Sequence, residues 1–121
     1  NERKTIRYKS RQFAVRIIRF VKFLYDEKKC FYDLSRQILK SGTSIGANVY
    51  ESKNAQSRED FVHKLSIALK EADETSYWLD ILCSAEIIDN KEFESLNSDL
   101  KEIIALLTSI IKTVKMQESV K

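Results

Sequence analysis

Apolar residues recur along the chain at alternating intervals of three and four positions, and short polar segments separate the runs. This spacing places them on one face of an α-helix, which has about 3.6 residues per turn. We therefore predict four long helices, over about 10–27, 31–54, 57–82 and 93–115. The predicted core positions are Phe13, Ile17, Phe20 and Leu24 in the first helix; Leu34, Ile38, Ser41, Ile45 and Asn48 in the second; Phe61, Leu65, Ala68, Ala72, Thr75, Leu79 and Leu82 in the third; and Phe93, Leu96, Leu100, Ile103, Leu107, Ile110 and Val114 in the fourth.

The segments between the helices are short and polar. They include 26–29 and Asp89-Asn90, and Ser57-Arg58-Glu59-Asp60 resembles a capping box at the start of the third helix. The 121 residues contain no proline and only two glycines, which is too few turn-forming residues for a β-rich fold. Because helices joined by short turns pack as antiparallel neighbours, we predict an all-α antiparallel four-helix bundle, with residues 1–121 forming a single domain.

Charge is distributed unevenly along the chain. Residues 1–40 contain twelve Lys/Arg and four Asp/Glu, whereas residues 41–121 contain nine and fourteen. In the first helix, Arg16, Arg19 and Lys22 follow each other at intervals of three and predict one exposed basic ridge. A basic ridge binds nucleic-acid phosphates by counterion release, but it is equally typical of an ordinary solvated helix face. The candidate nucleic-acid contacts are Arg3, Lys4, Arg7, Arg11, Arg16, Arg19 and Lys22.

The usual signatures of catalysis and metal binding are absent from the sequence. His63 is the only histidine, and its position off the core stripe predicts a surface side chain. Cys30 and Cys83 form no CxxC pattern and are typical of reduced thiols in a cytoplasmic protein, although one disulfide between them is an alternative. No apolar run approaches the roughly 20 residues of a membrane span. We predict no enzyme activity, no cofactor, no metal, no membrane and no small-molecule substrate.

Two features of the second and third helices need a local explanation. Gly42 and Gly46 each cost about 1 kcal/mol relative to alanine inside a helix. We interpret them as sites of close helix–helix approach, with a backbone surface for a ligand as the alternative.

Asn48 lies on the predicted core register, and Glu51 and Glu74 lie near it in register. We predict that these three form a structural hydrogen-bond network, with a polar binding site as the alternative.

Some apolar residues lie outside the core stripes. Second apolar stripes that contain aromatic residues are typical of subunit interfaces. We predict an oligomer whose interface includes Ile18, Phe23, Ile67, Trp78 and Ile81. The alternative is that surplus apolar residues only widen the core of one chain, which fits Ile104 and Ile111 best.

A known family has the same pattern across the second and third helices. The relevant segments are Gln37-Ile38-Leu39-Lys40-Ser41-Gly42-Thr43-Ser44-Ile45-Gly46-Ala47-Asn48-Val49-Tyr50-Glu51-Ser52, then Asp60-Phe61, Leu65-Ser66-Ile67-Ala68, Glu74-Thr75 and Tyr77-Trp78-Leu79. Together they resemble the bacterial 23S rRNA intervening-sequence proteins, also named the four-helix bundle protein family. Ser52 departs from the pattern, which has glycine after the glutamate, and this bears on the shape of the following turn.

The resemblance implies an up-down-up-down bundle assembled as a ring-like homopentamer. A similar bundle, the accessory variability determinant protein of diversity-generating retroelements, engages nucleic acid and a reverse transcriptase. Our leading hypothesis is a non-enzymatic oligomeric scaffold that binds RNA or DNA through basic residues of the first helix. The alternatives are a protein–protein adaptor or structural oligomer with no nucleic-acid role, and an enzyme with a site between subunits around Asn48, Glu51 and Glu74.

Overall fold

The computed structural model describes residues 5–28 and 32–119, and it confirms the all-α four-helix prediction. The described residues form four α-helices, which are α1 (Ile6–Phe23), α2 (Tyr32–Ser52), α3 (Arg58–Ser84) and α4 (Asn90–Ser119). A π-helical turn, Leu24–Lys28, extends α1. Each helix packs against its neighbours in chain order, and α1 also contacts α4, which closes the bundle in an up-down-up-down arrangement. The predicted start of the second helix, Phe31, lies outside the described residues.

The first and last helices begin earlier than the apolar spacing predicts. α1 begins at Ile6 and not at Ser10, because the Thr5 side chain accepts a hydrogen bond of 3.1 Å from the Tyr8 N–H and caps the helix. In the same way, Asp89 accepts a 2.8 Å hydrogen bond from the Glu92 N–H at the start of α4. Capping side chains satisfy backbone donors that the helix itself cannot satisfy. The apolar stripe begins only where the helix reaches the core, so it misses these first turns.

The start of α3 follows the predicted capping box in one direction. The Ser57 hydroxyl accepts a 3.0 Å hydrogen bond from the Asp60 N–H, as expected. The Asp60 carboxylate accepts from the Gln56 N–H at 3.3 Å and not from Ser57. Both bonds satisfy backbone donors where the chain enters the helix. The side chains of Ser57 and Asp60 therefore hold the α2–α3 turn.

The end of α3 contains a strained residue. Glu86 has a φ of 64°, in the left-handed region that normally favours glycine. The Ile87 N–H donates to the Leu82 carbonyl at 2.9 Å, and the Glu86 N–H donates to the Cys83 carbonyl at 3.0 Å. This pair of hydrogen bonds is the Schellman pattern, which ends a helix by placing one residue in that region. The turn therefore reverses the chain into α4 without a glycine.

The core lies along the predicted stripes, with a correction in α2 and half-buried positions towards the helix ends, which are Leu34, Phe61, Phe93, Ile110 and Val114. The buried apolar side chains include Phe13, Ile17, Phe20, Leu24, Ile38, Ile45, Leu65, Leu79, Leu82, Leu96, Leu100, Ile103 and Leu107. The predicted core position Asn48 is only half-buried, and its neighbour Val49 takes the buried position at 2% exposure. Hydroxyl groups meet across the α2–α3 contact, where Thr75 Oγ1 and Ser41 Oγ are 2.8 Å apart.

Gly42 and Gly46 mark the close contact between α1 and α2. A Cβ atom at Gly42 would lie 2.8 Å from two side-chain carbons of Ile17, and one at Gly46 would lie 3.1 Å from the Ser10 carbonyl oxygen. Both distances are shorter than ordinary van der Waals contact. The interpretation of these glycines as sites of close helix approach is therefore confirmed. Because α1 and α2 are held together here, residues of both helices form the surface that lies above their contact.

Candidate nucleic-acid interface

The basic residues of α1 are divided between two sides of the helix. On the side towards α4, Lys9 forms an ion pair with Glu102, and Arg16 forms one with Asp99 at 2.6 Å. Arg16 also donates to the Ser95 carbonyl at 3.1 Å and to the Ser95 hydroxyl at 2.5 Å. This guanidinium is occupied by α4. The prediction that Arg16 stands on an exposed ridge with Arg19 and Lys22 is therefore wrong, since α4 supplies acceptors that the periodicity of α1 does not reveal.

The other two members of the predicted ridge differ from each other. Lys22 pairs with Asp26 at 2.5 Å, four residues away on the same chain segment, and the hydrogen bond and charge of Asp26 raise the pKa of the Lys22 ammonium group. Both side chains are well exposed, so solvent weakens this pair. Arg19 is exposed and has no ion pair within the described part of the chain. Arg19 is thus the member of the ridge that remains available to a phosphate.

On the opposite side of α1, a groove of about 550 Å³ runs between α1 and α2. Its floor is made of small and apolar residues, including Ala14, Gly46, Ala47 and Val49. Two predicted basic residues, Arg7 and Arg11, stand at its edge one helical turn apart. Among the described residues that line the groove there is no aspartate or glutamate. Arg3 and Lys4, which were predicted as further contacts, lie outside the described residues.

Two tyrosines stand at the edges of this groove, Tyr8 from α1 and Tyr50 from α2. Their exposed fractions are 38% and 58%. Lys53 Nζ lies 3.8 Å from the centroid of the Tyr50 ring, within the range of a cation–π contact. Hydrogen bonding and charge from Lys53, with a smaller effect from Arg7, lower the pKa of the Tyr50 hydroxyl. Two cationic groups therefore line the groove, and Lys53 adds a third beside it through Tyr50. The apolar spacing gave no sign of the two tyrosines or of Lys53.

The predicted interface residues lie on different surfaces. Ile18 is 53% exposed, and the spacing of Arg7, Arg11, Ala14 and Ile18 places it on the groove side of α1. Phe23 is half-buried, packs on the core and lies beside Cys83 and Ile87. Ile67, Trp78 and Ile81 lie together on α3. The five residues therefore do not form one patch on a single chain, and their part in an interface stays a prediction.

The α3 residues belong to a second stripe beside the core stripe. Its members Ile67, Glu71, Glu74, Trp78 and Ile81 follow each other at intervals of four and three and are all half-buried. Trp78 Nε1 donates to a Glu74 carboxylate oxygen at 3.2 Å. Burial, and then the nearby negative charge of Glu74, raise the pKa of the Glu71 carboxyl. This stripe combines apolar side chains with two adjacent carboxylates, the opposite charge to that of the groove.

The chain matches one known family over nearly its whole length. The profile of the family described as 23S rRNA-intervening sequence protein matches residues 2–109. The chain belongs to this family. A solved structure is also similar, that of a protein with unknown function from the S23 ribosomal protein family of Bacteroides thetaiotaomicron VPI-5482. That protein is 56% identical, the alignment covers 89% of this chain and 99% of that one, and the TM-score is 0.87. No curated protein matches the chain.

Within this 23S rRNA-intervening sequence fold, the three predicted network residues have separate partners. The Asn48 side-chain amide donates to the Ser44 carbonyl at 2.9 Å, within its own helix. Glu51 is exposed and pairs with Lys64 at 3.1 Å, and Glu74 accepts from Trp78. The structure does not bring the three together in one hydrogen-bond network. The physical reason is register, because Val49 occupies the core position and turns Asn48 towards the outer edge of α2.

The remaining chemistry of this 23S rRNA-intervening sequence protein is limited. His63 is exposed, as predicted, and lies near Ser57, Glu59 and Asp60 at the start of α3. Cys83 is a free thiol whose Sγ lies 3.1 Å from Asn90 Oδ1, and Cys30 lies outside the described residues. Across the described ranges, no cluster of three or more histidine, cysteine, aspartate or glutamate side chains is arranged to hold a metal ion. The helices of the described chain also include none that is long and apolar enough to span a membrane.

Proposed function

We propose that this protein is a cytoplasmic, non-catalytic oligomeric scaffold that binds RNA or DNA through α1. The observation that carries the proposal is the pair Arg7 and Arg11 on the groove side of α1, which forms no ion pair with any of the residues that the structure describes. The helix contains six Lys/Arg and no Asp/Glu over its 18 residues. Phosphate contacts need cations without intramolecular partners, because an ion pair must be broken before the cation can release a counterion from nucleic acid.

The proposed contacts differ from the ridge expected from periodicity. Arg7, Arg11 and Arg19 are exposed and have no ion pair within the described part of the chain. Lys9 and Arg16 are engaged by α4 and are left out of the proposed contact set. Such contacts to phosphates position a nucleic acid without reading its sequence. The proposal is therefore for binding with little base specificity and strong salt dependence.

Oligomer formation would multiply this surface. We propose a closed ring, for which the family resemblance implies five subunits. The α3 stripe and the exposed Ile18 are unlike surfaces on different parts of one chain. Ile18 lies two helical turns beyond Arg11 and does not line the groove. Contacts between unlike surfaces generate rings when the rotation closes. Several copies of α1 on one ring would raise avidity without any new contact.

The test is direct binding by fluorescence anisotropy with labelled single-stranded RNA, single-stranded DNA and duplex DNA at 50 and 200 mM salt. We expect log affinity to fall linearly with log salt, by roughly 0.7 to 0.9 per neutralised phosphate. Replacing Arg7, Arg11 and Arg19 with glutamine should weaken binding and flatten this slope. The matched control replaces three exposed lysines of α4, Lys91, Lys112 and Lys115, which removes the same charge elsewhere.

A wild-type protein that binds none of these probes at 50 mM salt contradicts the proposal. Equal losses in the α1 and α4 variants also contradict it, because they indicate a response to net charge alone. The adaptor hypothesis would then lead. Its specific support is the half-buried α3 stripe around Trp78, since Trp is enriched at the centre of protein–protein contacts.

A further inference from the structure

The groove between α1 and α2 has features that phosphate binding alone does not require. A ridge of arginines is sufficient to hold a phosphate backbone. This site adds a concave apolar floor and an exposed tyrosine on each side. We propose that the groove accepts an unpaired nucleotide of a single-stranded nucleic acid, with its base against Tyr50 or Tyr8 and its phosphates beside Arg7, Arg11 and Lys53. This inference rests on the proposed function and specifies its ligand.

The size and lining of the groove fit such a ligand. Its volume of about 550 Å³ falls within the roughly 300–1,000 Å³ that is usual for small-molecule sites. Ala14, Gly46 and Ala47 keep the floor shallow and apolar, so a planar base can approach the backbone of both helices. The Gly46 position cannot carry a larger side chain without meeting the Ser10 carbonyl. Gly46 therefore belongs both to the close contact of α1 with α2 and to the groove above that contact.

The edges of the groove supply the two interactions that single strands use. Aromatic rings stack with bases of any identity, and cations follow the phosphate backbone. Tyr50 is more than half exposed, and Lys53 holds a cationic group against its ring. Arg7 lies close enough to affect the Tyr50 hydroxyl by its charge. One nucleotide can therefore stack its base on the Tyr50 ring while its phosphate contacts a neighbouring cation.

Charge and base accessibility decide among the possible occupants. The described lining has no acidic side chain, so it favours a polyanion. A duplex keeps its bases paired and stacked, so its bases cannot enter the groove, whereas an unpaired strand can present them. An acidic helix from a second copy would satisfy the cations but would not need two exposed tyrosine rings. A single strand uses the cations, the rings and the apolar floor together.

The experiment compares a labelled 12-nucleotide oligothymidylate with a blunt 12-base-pair duplex at 50 mM salt. Tyr50→Ala should weaken single-strand binding by roughly tenfold, since stacking contributes about that much per base, and should change duplex binding by less than about twofold. Tyr50→Phe should keep wild-type affinity because the ring remains. The matched control is Tyr77→Ala on α3, because Tyr77 is exposed to 57% and Tyr50 to 58%. It should change neither affinity.

A second variant tests the floor without removing an aromatic ring or a charge. Ala47 is exposed and lines the groove, so Ala47→Leu should fill it while the helices stay folded, as circular dichroism can check. We expect a selective loss of single-strand binding similar to that of Tyr50→Ala. Photo-cross-linking to an oligonucleotide that contains 5-bromodeoxyuridine should place the adduct on Tyr8 or Tyr50 by mass spectrometry.

The outcomes separate this inference from the broader proposal. If both variants bind single strands as the wild type does, or lose single-strand and duplex binding equally, the groove inference is overturned while phosphate binding by α1 stands. If the wild type binds neither probe, both fail. If Ala47→Leu leaves binding intact and changes the sedimentation coefficient, the groove is a contact between copies and the inference is also overturned.

Discussion

The two sides of α1 show how one basic helix can carry out two different tasks. Towards α4, Lys9 and Arg16 are bound by Glu102, Asp99 and Ser95, so their charge helps to hold the bundle closed. Towards α2, contact is more extensive and depends on glycine, and the described residues that line the groove beside its cations include no acidic side chain. The difference teaches that a cation's role is decided by the helix it faces and not by its own helix.

The largest expected effect concerns the packed contact on the α2 side. Gly42→Ala should lower the free energy of unfolding by about 2 kcal/mol, because its Cβ would lie 2.8 Å from carbons of the fully buried Ile17. The stiff side chain of Ile17 cannot move aside easily. Urea denaturation measures the change.

A double-mutant cycle separates this clash from other causes. In an Ile17→Ala background the two γ-carbons at 2.8 Å are gone and only the Cβ contact at 3.2 Å remains, so Gly42→Ala should cost much less and come close to neutral. If Gly42→Ala costs the same in both backgrounds, the close contact with Ile17 is not the reason for the glycine.

The next effect compares matched pairs of charges on the two sides of α1. Arg7→Gln with Arg11→Gln should weaken nucleic-acid binding at 50 mM salt by roughly tenfold or more, since both arginines line the groove and neither has an ion pair among the described residues. Lys9→Gln with Arg16→Gln removes the same charge and should change affinity by less than about threefold. Anisotropy titrations measure both. Equal losses would show that the two sides do not differ in binding.

The same two double variants should differ in stability in the opposite sense, so that the variant without Lys9 and Arg16 is the less stable one. Loss of Lys9 and Arg16 breaks two contacts to α4 and should lower the free energy of unfolding by up to about 1 kcal/mol, because both pairs are partly exposed. Loss of Arg7 and Arg11 should have no measurable cost. The difference should shrink in 1 M salt, which screens exposed pairs. A difference that salt leaves unchanged would indicate lost packing instead.

The smallest effect concerns the half-buried carboxyl group of Glu71 in the α3 stripe. The pKa of Glu71 is raised, so its favourable contribution is complete below the ordinary carboxyl pKa and is lost as pH rises through the raised value. Glu71→Gln removes this loss. Its stability relative to the wild type should therefore increase as pH rises above the ordinary carboxyl pKa, by on the order of a few tenths of a kcal/mol. Unfolding at fixed protein concentration across this range measures it, and parallel pH curves would contradict it.

Periodicity predicts the parts of this structure that depend on one helix at a time. Most of the predicted core positions of α1, α3 and α4 are buried, because burial repeats with the helical turn. The exceptions lie towards the helix ends, where Phe61, Phe93, Ile110 and Val114 are only half-buried. In α2 this prediction fails, because Val49 and not Asn48 takes the buried position. Both residues lie near the core-facing side of the helix, and packing decides which of them is buried. The cap at Thr5 was missed because no apolar residue marks it.

The candidate site was harder to predict because it depends on pairs of helices. The spacing of Arg16, Arg19 and Lys22 gives their direction on α1 but not the acceptors that α4 brings to Arg16. The groove joins Tyr8 and Tyr50, which are 42 positions apart in sequence. An available signal was the interval between Arg7 and Arg11, which places them on one face one turn apart.

The left-handed conformation of Glu86 has a consequence for how this sequence can drift. A non-glycine residue in that region costs roughly 1 kcal/mol. A glutamate codon becomes a glycine codon by a single base change, so relief of this strain is always one mutation away. Selection removes only variants that fall below the stability that function requires, so a chain can carry this strain without being at its stability optimum. The α3–α4 turn thus holds a reserve that could offset a destabilising change elsewhere, such as a new residue in the groove.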